Sequence, residues 1–564
     1  MDKIRAWLTS QNQVINSLSP TLRFVFLFLF AVFFASTFVM LGKINNTFLI
    51  EEPRLGGELH EGIIDSPRFI NPVLAFSGAD KDLSALVFSG LLRKTSTGDF
   101  IPDLAESFEV SADNLKYTIK LKDSAVFHDG KKVTADDIIF TIKLIQDLIL
   151  KSPQKIRWEG VAVEKIDDST LTLTLRQPYA FFLENLTTGI LPAHRFKNVP
   201  IEQISFHPFN LEAVGSGPFR IKEIKKRSDG TISHIELVSF RNFALGRPYI
   251  SNFFLHFYSN EKTLLDALKR GEVSQVVGLS GTTAAENNFR IETFILPRIF
   301  GLFPNQNQAT IFTDKSVIEA FDLAINKAKI VSGVLQGFGN PIDSAVPESI
   351  IEARDTYSKE KALEILTRAG WVTNEDGVRE KKGKTAKDTA RLAFAIATAD
   401  TPDLKQTAEL IKEDLSKIGA EVSLNIFEIG DLNQNIIRPR KYDLLLFGQV
   451  INNDGDLFSF WHSSQRKDPG LNIANYTSAK SDKLLEEMLL TEDKKERANK
   501  IAGFEEEIKK DKAAVFLYSP KFIYIVDKNI KGISLPEIGN GPDRFSESYK
   551  WFLETEKIWS VFAK

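Results

Sequence analysis

Apolar residues concentrate first between Arg23 and Lys43. The nineteen residues from Phe24 to Gly42 carry no charge, and seven of them are Phe. As an α-helix this run is about 28 Å long, close to a bilayer core of about 30 Å. Beyond it the pattern becomes short alternations and amphipathic stretches. Leu115, Tyr117, Ile119 and Leu121 alternate with polar residues, as do Leu171, Leu173 and Leu175. Both predict half-buried strands. Between them Thr134 and Asp137 form a capping-box pattern. Ile138, Ile142, Ile145 and Ile149 then fall on one helical face. Further on, Leu392, Phe394 and Ile396 alternate. Leu404, Ala408, Ile411, Leu415 and Ile418 make a helical stripe, Gly419 stops it, and Val422, Leu424 and Ile426 alternate again. Strand, helix, strand at this spacing predicts a βαβ unit in a parallel sheet.

Charge around the first apolar run orients it. Lys3, Arg5 and Arg23 precede it against Asp2 alone. The positive-inside rule puts residues 1–23 in the cytoplasm as a short tail and the chain after Lys43 outside. A cleaved signal peptide has an apolar region of about 7–15 residues and an A-x-A-like site. This run is longer, and Ala35-Ser36-Thr37 matches such a site poorly. A buried core helix is seldom so uniformly apolar. The expectation is an uncleaved signal-anchor over 24–42, followed by a tether over 43–53 and a single-pass protein whose bulk is extracytoplasmic.

Composition narrows the chemistry. The chain of 564 residues has 71 Lys and Arg against 74 Asp and Glu, a net charge of −3, with no basic run that would suit nucleic acid. It has no Cys, which excludes disulfides, Cys-ligated zinc, iron–sulfur clusters, thiol catalysis and a lipid-modified Cys anchor. The seven histidines (60, 128, 194, 207, 234, 256 and 462) form no HExxH or other close ligand pair, and no G-x-S-x-G elbow occurs. Gly337-Phe-Gly-Asn-Pro341 lacks the spacing and Lys of a phosphate loop, and Asp129-Gly130 reads as a turn. No catalytic residue, cofactor or metal is expected. A large exported chain without a catalytic constellation points to binding.

Specific motifs then follow one another. Ser89-Gly-Leu-Leu-Arg93 precedes Gly98-Asp-Phe-Ile-Pro-Asp-Leu-Ala-Glu-Ser-Phe108 and Val126-Phe-His-Asp-Gly130, with Val133-Thr-Ala-Asp-Asp-Ile138 after them. Asn71-Pro72, Gly189-Ile-Leu-Pro192, Val214-Gly-Ser-Gly-Pro-Phe219, Glu319-Ala320, Gly337–Pro341, Ala369-Gly-Trp371, Asp454-Gly-Asp456, Trp461-His-Ser463 and Asn475-Tyr476 keep the same order. The chain from about 54 to 530 resembles the oligopeptide/dipeptide/nickel class, family 5, of extracytoplasmic solute-binding proteins of ABC importers.

That resemblance implies an α/β, periplasmic-binding-protein type II-like two-lobed fold with an extra inserted lobe. Lobe I would take 54–93, 213–303 and 510–564, the inserted lobe II 94–212, and lobe III 304–509. The lobes would close on a ligand by hinge motion. Family members that take peptides hold them extended, as an added strand. By position, one edge would be Phe76, Ser77, Gly78 and Ala79, and the other Gly448, Gln449 and Val450. Such members also carry an Asp after this Gly that pairs with the ligand ammonium. Here that place falls on Asn452, aligned on Gly448, or on Ile451, aligned on Asp454-Gly-Asp456. Asp454 is the substitute if the loop is shifted, with a turn role as its alternative. Trp461, Trp158 and Phe303 are candidates to stack on a ligand, against core packing. Arg157 is a candidate fork for a ligand carboxylate, against plain exposure.

The functional expectation is a membrane-anchored substrate-binding component that captures peptides, or a related polar solute, and hands them to an ABC permease. Its partners would be that solute, the permease and, through the N-terminal helix, the membrane; it would be a monomer with no nucleic acid. The alternatives are a sensor acting through a membrane partner and a receptor for a non-peptide solute such as an oligosaccharide.

Overall fold

The computed structural model describes residues 19–279, 288–346, 356–383, 389–451 and 453–559. These form two units: a small one from the N-terminal residues through Leu55 with those from Phe552, and a large one over Gly56–Trp551.

In the small unit the apolar run is a helix, Pro20–Phe48, started by Ser19, whose Oγ accepts from Leu22 N. Phe26, Phe30 and Phe34 stack along it at the i, i+4 spacing. None of the apolar window is buried, so the helix is not a core helix. The helix runs six residues past the apolar segment. The expected tether 43–53 is therefore its last turns and then a strand, Leu49–Pro53. That strand pairs antiparallel with Thr555–Trp559. Phe48 stacks on Trp559, and Arg54 pairs with Glu554 at 3.3 Å. The final strand thus belongs with the tether rather than with lobe I, because its backbone finds its partners there.

The large unit is built on a twelve-stranded sheet. Its order is Glu421–Phe427, Ala393–Ala399, Leu444–Val450, Arg298–Pro304, Val515–Asp527, Gln275–Val277, Glu58–Ile64, Asn252–Tyr258, Ile232–Ser239 and Phe219–Lys226. Phe289–Ile295 and Gly339–Pro341 also pair with Val515–Asp527, and this long strand joins the two halves of the sheet. The expected βαβ unit is present. Ala393–Ala399 and Glu421–Phe427 pair in parallel around helix Pro402–Ser416. Its stripe from Leu404 to Ile418 is buried, and Ala420 N closes back on Leu415 O past Gly419.

A separate four-stranded sheet holds Ala105–Val110, Lys116–Leu121, Thr170–Thr174 and Ala162–Lys165. Tyr117, Ile119, Leu171 and Leu173 are buried in it, as their alternation required. Helix Ala135–Gln146 carries the expected capping box, with Thr134 N donating to Asp137 Oδ2 at 2.9 Å. It buries Ile138, Ile142 and Ile145 but ends before Ile149, which is exposed.

Two buried polar arrangements tie distant segments together. The Arg544 guanidinium meets Glu61 Oε1 through Nε at 3.0 Å and both Asp82 oxygens at 2.8 and 2.7 Å. Tyr524 donates to Glu61 Oε2 at 2.9 Å. Burial raises the Glu61 carboxyl above its usual range, against the pull of Arg544. The second arrangement is His128. Its Nε2 lies 3.1 Å from Gly217 O, and its Nδ1 accepts from Gly215 N at 3.3 Å. Only neutral imidazole satisfies both contacts, because a second proton would face the Gly215 N–H. Burial holds this residue down to about 4.

Arg544→Met is expected to destabilise the fold by about 3–5 kcal/mol in urea unfolding, since it leaves two buried carboxylates uncompensated. His128 protonates in the unfolded chain near pH 6.5 but in the folded one only near 4, so acid favours unfolding between those values. From pH 7 to pH 5 this residue alone is expected to remove about 1–2 kcal/mol, and His128→Gln should flatten that part of the pH–stability curve.

Candidate functional site

A cavity of about 1130 Å³ opens within the large unit. Its walls come from segments far apart in sequence. They include the start of helix Gly78–Val87, the Pro153–Arg157 and Glu184–Gly189 segments, and the strand bearing Arg298 and Phe300. The start of helix Pro402–Ser416, Tyr518–Ile523 and Asn540–Arg544 complete them. The long shared strand and the Arg544 cluster therefore position the cavity directly.

Phe76, Gly78 and Ala79 line it, and Phe76 is 78% exposed. They do not form the expected strand edge. Ser77 caps the helix, its Oγ accepting from Asp80 N at 3.1 Å. The Asp80 carboxylate takes the N–H groups of Phe76 and Ser77. Those amides are spent on the helix start and are not available to a ligand strand.

Gly448 pairs with Phe300, and Gln449 with Ile299, in the antiparallel register of strands Leu444–Val450 and Arg298–Pro304. A Cβ on Gly448 would lie 2.7 Å from the Phe300 ring. The glycine makes room for that ring, which lines the cavity and stacks on Tyr518 with centroids 4.9 Å apart. Gly448, Gln449 and Val450 do not themselves line the cavity, because Phe300 covers this end of the strand. Gln449 is 2% exposed on the opposite face, and its side-chain amide has no hydrogen-bond partner among the described residues. On the edge away from Arg298–Pro304, residues 448–450 have no strand partner among the described residues.

Asn452 lies outside the described residues. Ile451 is buried, its N–H donating to Pro297 O at 2.7 Å. Asp454 is mostly buried with Arg497 Nε 3.6 Å away, and Arg497 lies over the Phe181 ring. Asp454 does not line the cavity; its charge is already met inside the protein. Trp461 is fully buried among Phe303, Phe504, Phe516 and Tyr476. Phe303 is also buried, and Trp158 packs on Phe182. All three are core residues, because each sits on the inner face of its element. Arg157, by contrast, lines the cavity and is exposed, so the plain-exposure alternative also describes it.

Sequence reading missed Lys81, Arg298, Phe300 and Asp403, which all line the cavity. Their residue types carry no local signature, and only the strand register and helix orientation bring them together. Burial lowers the Lys81 ammonium, and Arg157 and then Arg298 lower it further. Burial raises the Asp403 carboxyl, with Glu261 adding to it. Burial pushes the Tyr518 phenol up to about 12. Among the described residues no group of three His, Asp or Glu is placed to hold a metal ion.

The family described as "Bacterial extracellular solute-binding proteins, family 5 Middle" matches residues 99–470. The chain is 29% identical over 499 residues to the oligopeptide-binding protein AppA of Bacillus subtilis (strain 168), covering 85% of this chain and 89% of that one. It is 23% identical to the dipeptide-binding protein of Escherichia coli (strain K12), over 84% and 91% of the two chains. The solved structure of B. subtilis AppA in complex with a nonapeptide superposes with a TM-score of 0.68 at 28% identity, over 89% of this chain and all of that one. NikZ from Campylobacter jejuni in complex with Ni(L-His) superposes with a TM-score of 0.69 at 25% identity, over 88% and 99%.

Gly448→Val is expected to displace the Phe300 ring and lower stability by about 1–3 kcal/mol, read as a fall in the urea midpoint.

Proposed function

This chain belongs to family 5 of the bacterial extracellular solute-binding proteins, and from that membership we propose that it is a membrane-anchored receptor that captures peptides for an ABC importer. As a family member it is a non-enzymatic, extracytoplasmic binding protein with an N-terminal apolar helix. It is the substrate-binding component of an ABC transporter for peptides or related solutes. The peptide reading rests on the cavity. Its roughly 1130 Å³ exceeds the range of about 300–1,000 Å³ usual for small-molecule sites and suits a chain-like ligand. The nonapeptide held by B. subtilis AppA supports the same reading.

Lobe closure around the cavity buries the ligand and presents the closed receptor to the permease. The exposed apolar helix Pro20–Phe48 spans the membrane and keeps the receptor near that permease, which raises its effective concentration there. The receptor acts as a monomer.

The test is native mass spectrometry of the full chain, extracted in detergent and purified without unfolding, followed by release of whatever co-purifies. A mixed ladder of short peptides is the expected result. A single non-peptide species would overturn the peptide assignment and leave the importer role. If the protein emerges empty, added peptides are expected to raise its unfolding free energy by about 2.7 kcal/mol at 100 times their Kd. The absence of any such shift would also overturn the assignment.

A further inference from the structure

The chain leaves the large unit at Phe552, and its last described strand, Thr555–Trp559, pairs with the strand that follows the apolar helix. No residue separates helix Pro20–Phe48 from strand Leu49–Pro53, so this two-stranded ribbon begins where the helix stops. Its composition changes rung by rung. The two rungs next to the helix are Leu49 with Trp559 and Ile50 with Ile558. The Phe48 ring stacks on the Trp559 indole there, with centroids 6.0 Å apart. The next two rungs are Glu51 with Lys557 and Glu52 with Glu556, and beyond them Arg54 pairs with Glu554. The ribbon is thus apolar at its helix end and charged at the other.

Position along the helix sets the depth of the apolar end. Phe48 stands three residues past Pro20–Asn45, a stretch long and apolar enough to cross a membrane. Those residues rise about 4.5 Å. The layer between the hydrocarbon core and bulk water is about 5–7 Å deep on each side. The Phe48–Trp559 pair falls within that layer, the level at which Trp concentrates in membrane proteins. An indole suits it, with an apolar body and one N–H for a polar group.

The ribbon also needs a cover. Phe48, Ile50 and Trp559 are 49%, 37% and 45% exposed. A two-stranded ribbon standing alone is at best marginally stable in water. Here Glu52 lies directly opposite Glu556, a like-charge pair that weakens it further. The exposed apolar surface is continuous with that of the helix, whose apolar window has no cover within the protein. Under the anchor reading lipid covers the helix, and the same bilayer reaches the first rungs of the ribbon.

We propose that the ribbon of Leu49–Pro53 and Thr555–Trp559 docks in the extracytoplasmic headgroup layer of the membrane, with Phe48, Ile50 and Trp559 inserted. The C-terminal strand is then a second membrane contact beside the N-terminal helix. This rests on the membrane-anchor reading above and extends it. Both segments that lead to the large unit start from the lipid surface, where a plain tether would leave the C-terminal one free.

The experiment uses the full chain carrying Trp7→Phe, in phosphatidylcholine nanodiscs. Trp158, Trp371, Trp461 and Trp551 are buried in the large unit, which leaves Trp559 as the reporter. Lipids bearing a nitroxide on the headgroup are compared with lipids bearing it at the end of the acyl chain. The headgroup nitroxide is expected to quench Trp559 at least about twofold more strongly, as an interfacial indole requires. Adding Trp559→Phe is expected to abolish the difference. Intact mass is read on the same sample, and a chain cut after the apolar run would overturn the anchor reading and this proposal with it. An uncut chain whose Trp559 is open to aqueous iodide and quenched by neither lipid would overturn the docking, leave the anchor standing and turn the ribbon to a protein partner. Stronger quenching from the chain end than from the headgroup would also overturn it. A headgroup effect that survives Trp559→Phe would do the same.

Discussion

The buried guanidinium of Arg544 is the point on which the large unit depends. It meets carboxylates from strand Glu58–Ile64 and from helix Gly78–Val87, while Tyr524 of the long shared strand hydrogen-bonds to the first of them. A residue near the end of the chain thereby holds two elements near its beginning. Three ionisable groups taken out of water tolerate little freedom, since each must keep its partner to offset the cost of burial. Asp82 and Arg544 also line the cavity, and Lys81 is the neighbour of Asp82 on the same helix. The docking of Asp82 onto Arg544 sets where that helix begins, and with it where Lys81 and the Phe76–Ala79 segment stand.

The motifs that carry the family resemblance meet elsewhere, in a close-packed junction. His128 is hydrogen-bonded to Gly215 and Gly217, and a Cβ on Gly215 would lie 1.9 Å from the Val87 carbonyl oxygen. The Val126–Gly130 and Val214–Phe219 motifs thus lock onto the end of helix Gly78–Val87. Asp103 of the Gly98–Phe108 motif is buried against Arg93 at 2.8 Å, beside the same junction. These residues specify the fold through packing that permits no side chain and through one neutral imidazole. None of them needs a ligand to account for it, which is why the resemblance identified the family and left the ligand open.

Elements were legible in the sequence where their cause is local. The capping box at Thr134, the stripe from Leu404 to Ile418 and the alternations at 115–121 and 171–175 all act within one helix or strand. The same locality explains the errors. Phe76–Ala79 was read as an edge, but Asp80, one residue on, takes the amides of Phe76 and Ser77 and turns the segment into a helix start. Trp461 is a candidate contact by its ring, with core packing as the alternative, and four aromatic neighbours up to 158 residues away along the chain enclose it in the core. Within the site, Arg157 was legible as one of two alternatives, a carboxylate fork or an exposed side chain, and it is an exposed residue on the cavity wall. Lys81 and Arg298 were not, because 217 positions separate them and only the folded chain sets them on one wall.

Recognition through features common to every peptide suits a cavity of this size. An extended main chain offers the same donors and acceptors whatever its side chains, and its last carboxylate is always present. A receptor that reads main-chain groups alone leaves side-chain identity unread. The remaining volume then admits side chains together with water, which bridges polar groups at little cost. Tight packing around particular side chains would give more affinity for one peptide and exclude most others. The ring of Phe300, held flat on Tyr518 and backed by Gly448, gives that volume a rigid apolar wall. A rigid apolar wall in so large a cavity therefore favours ligands that share a backbone over ligands that share a side chain.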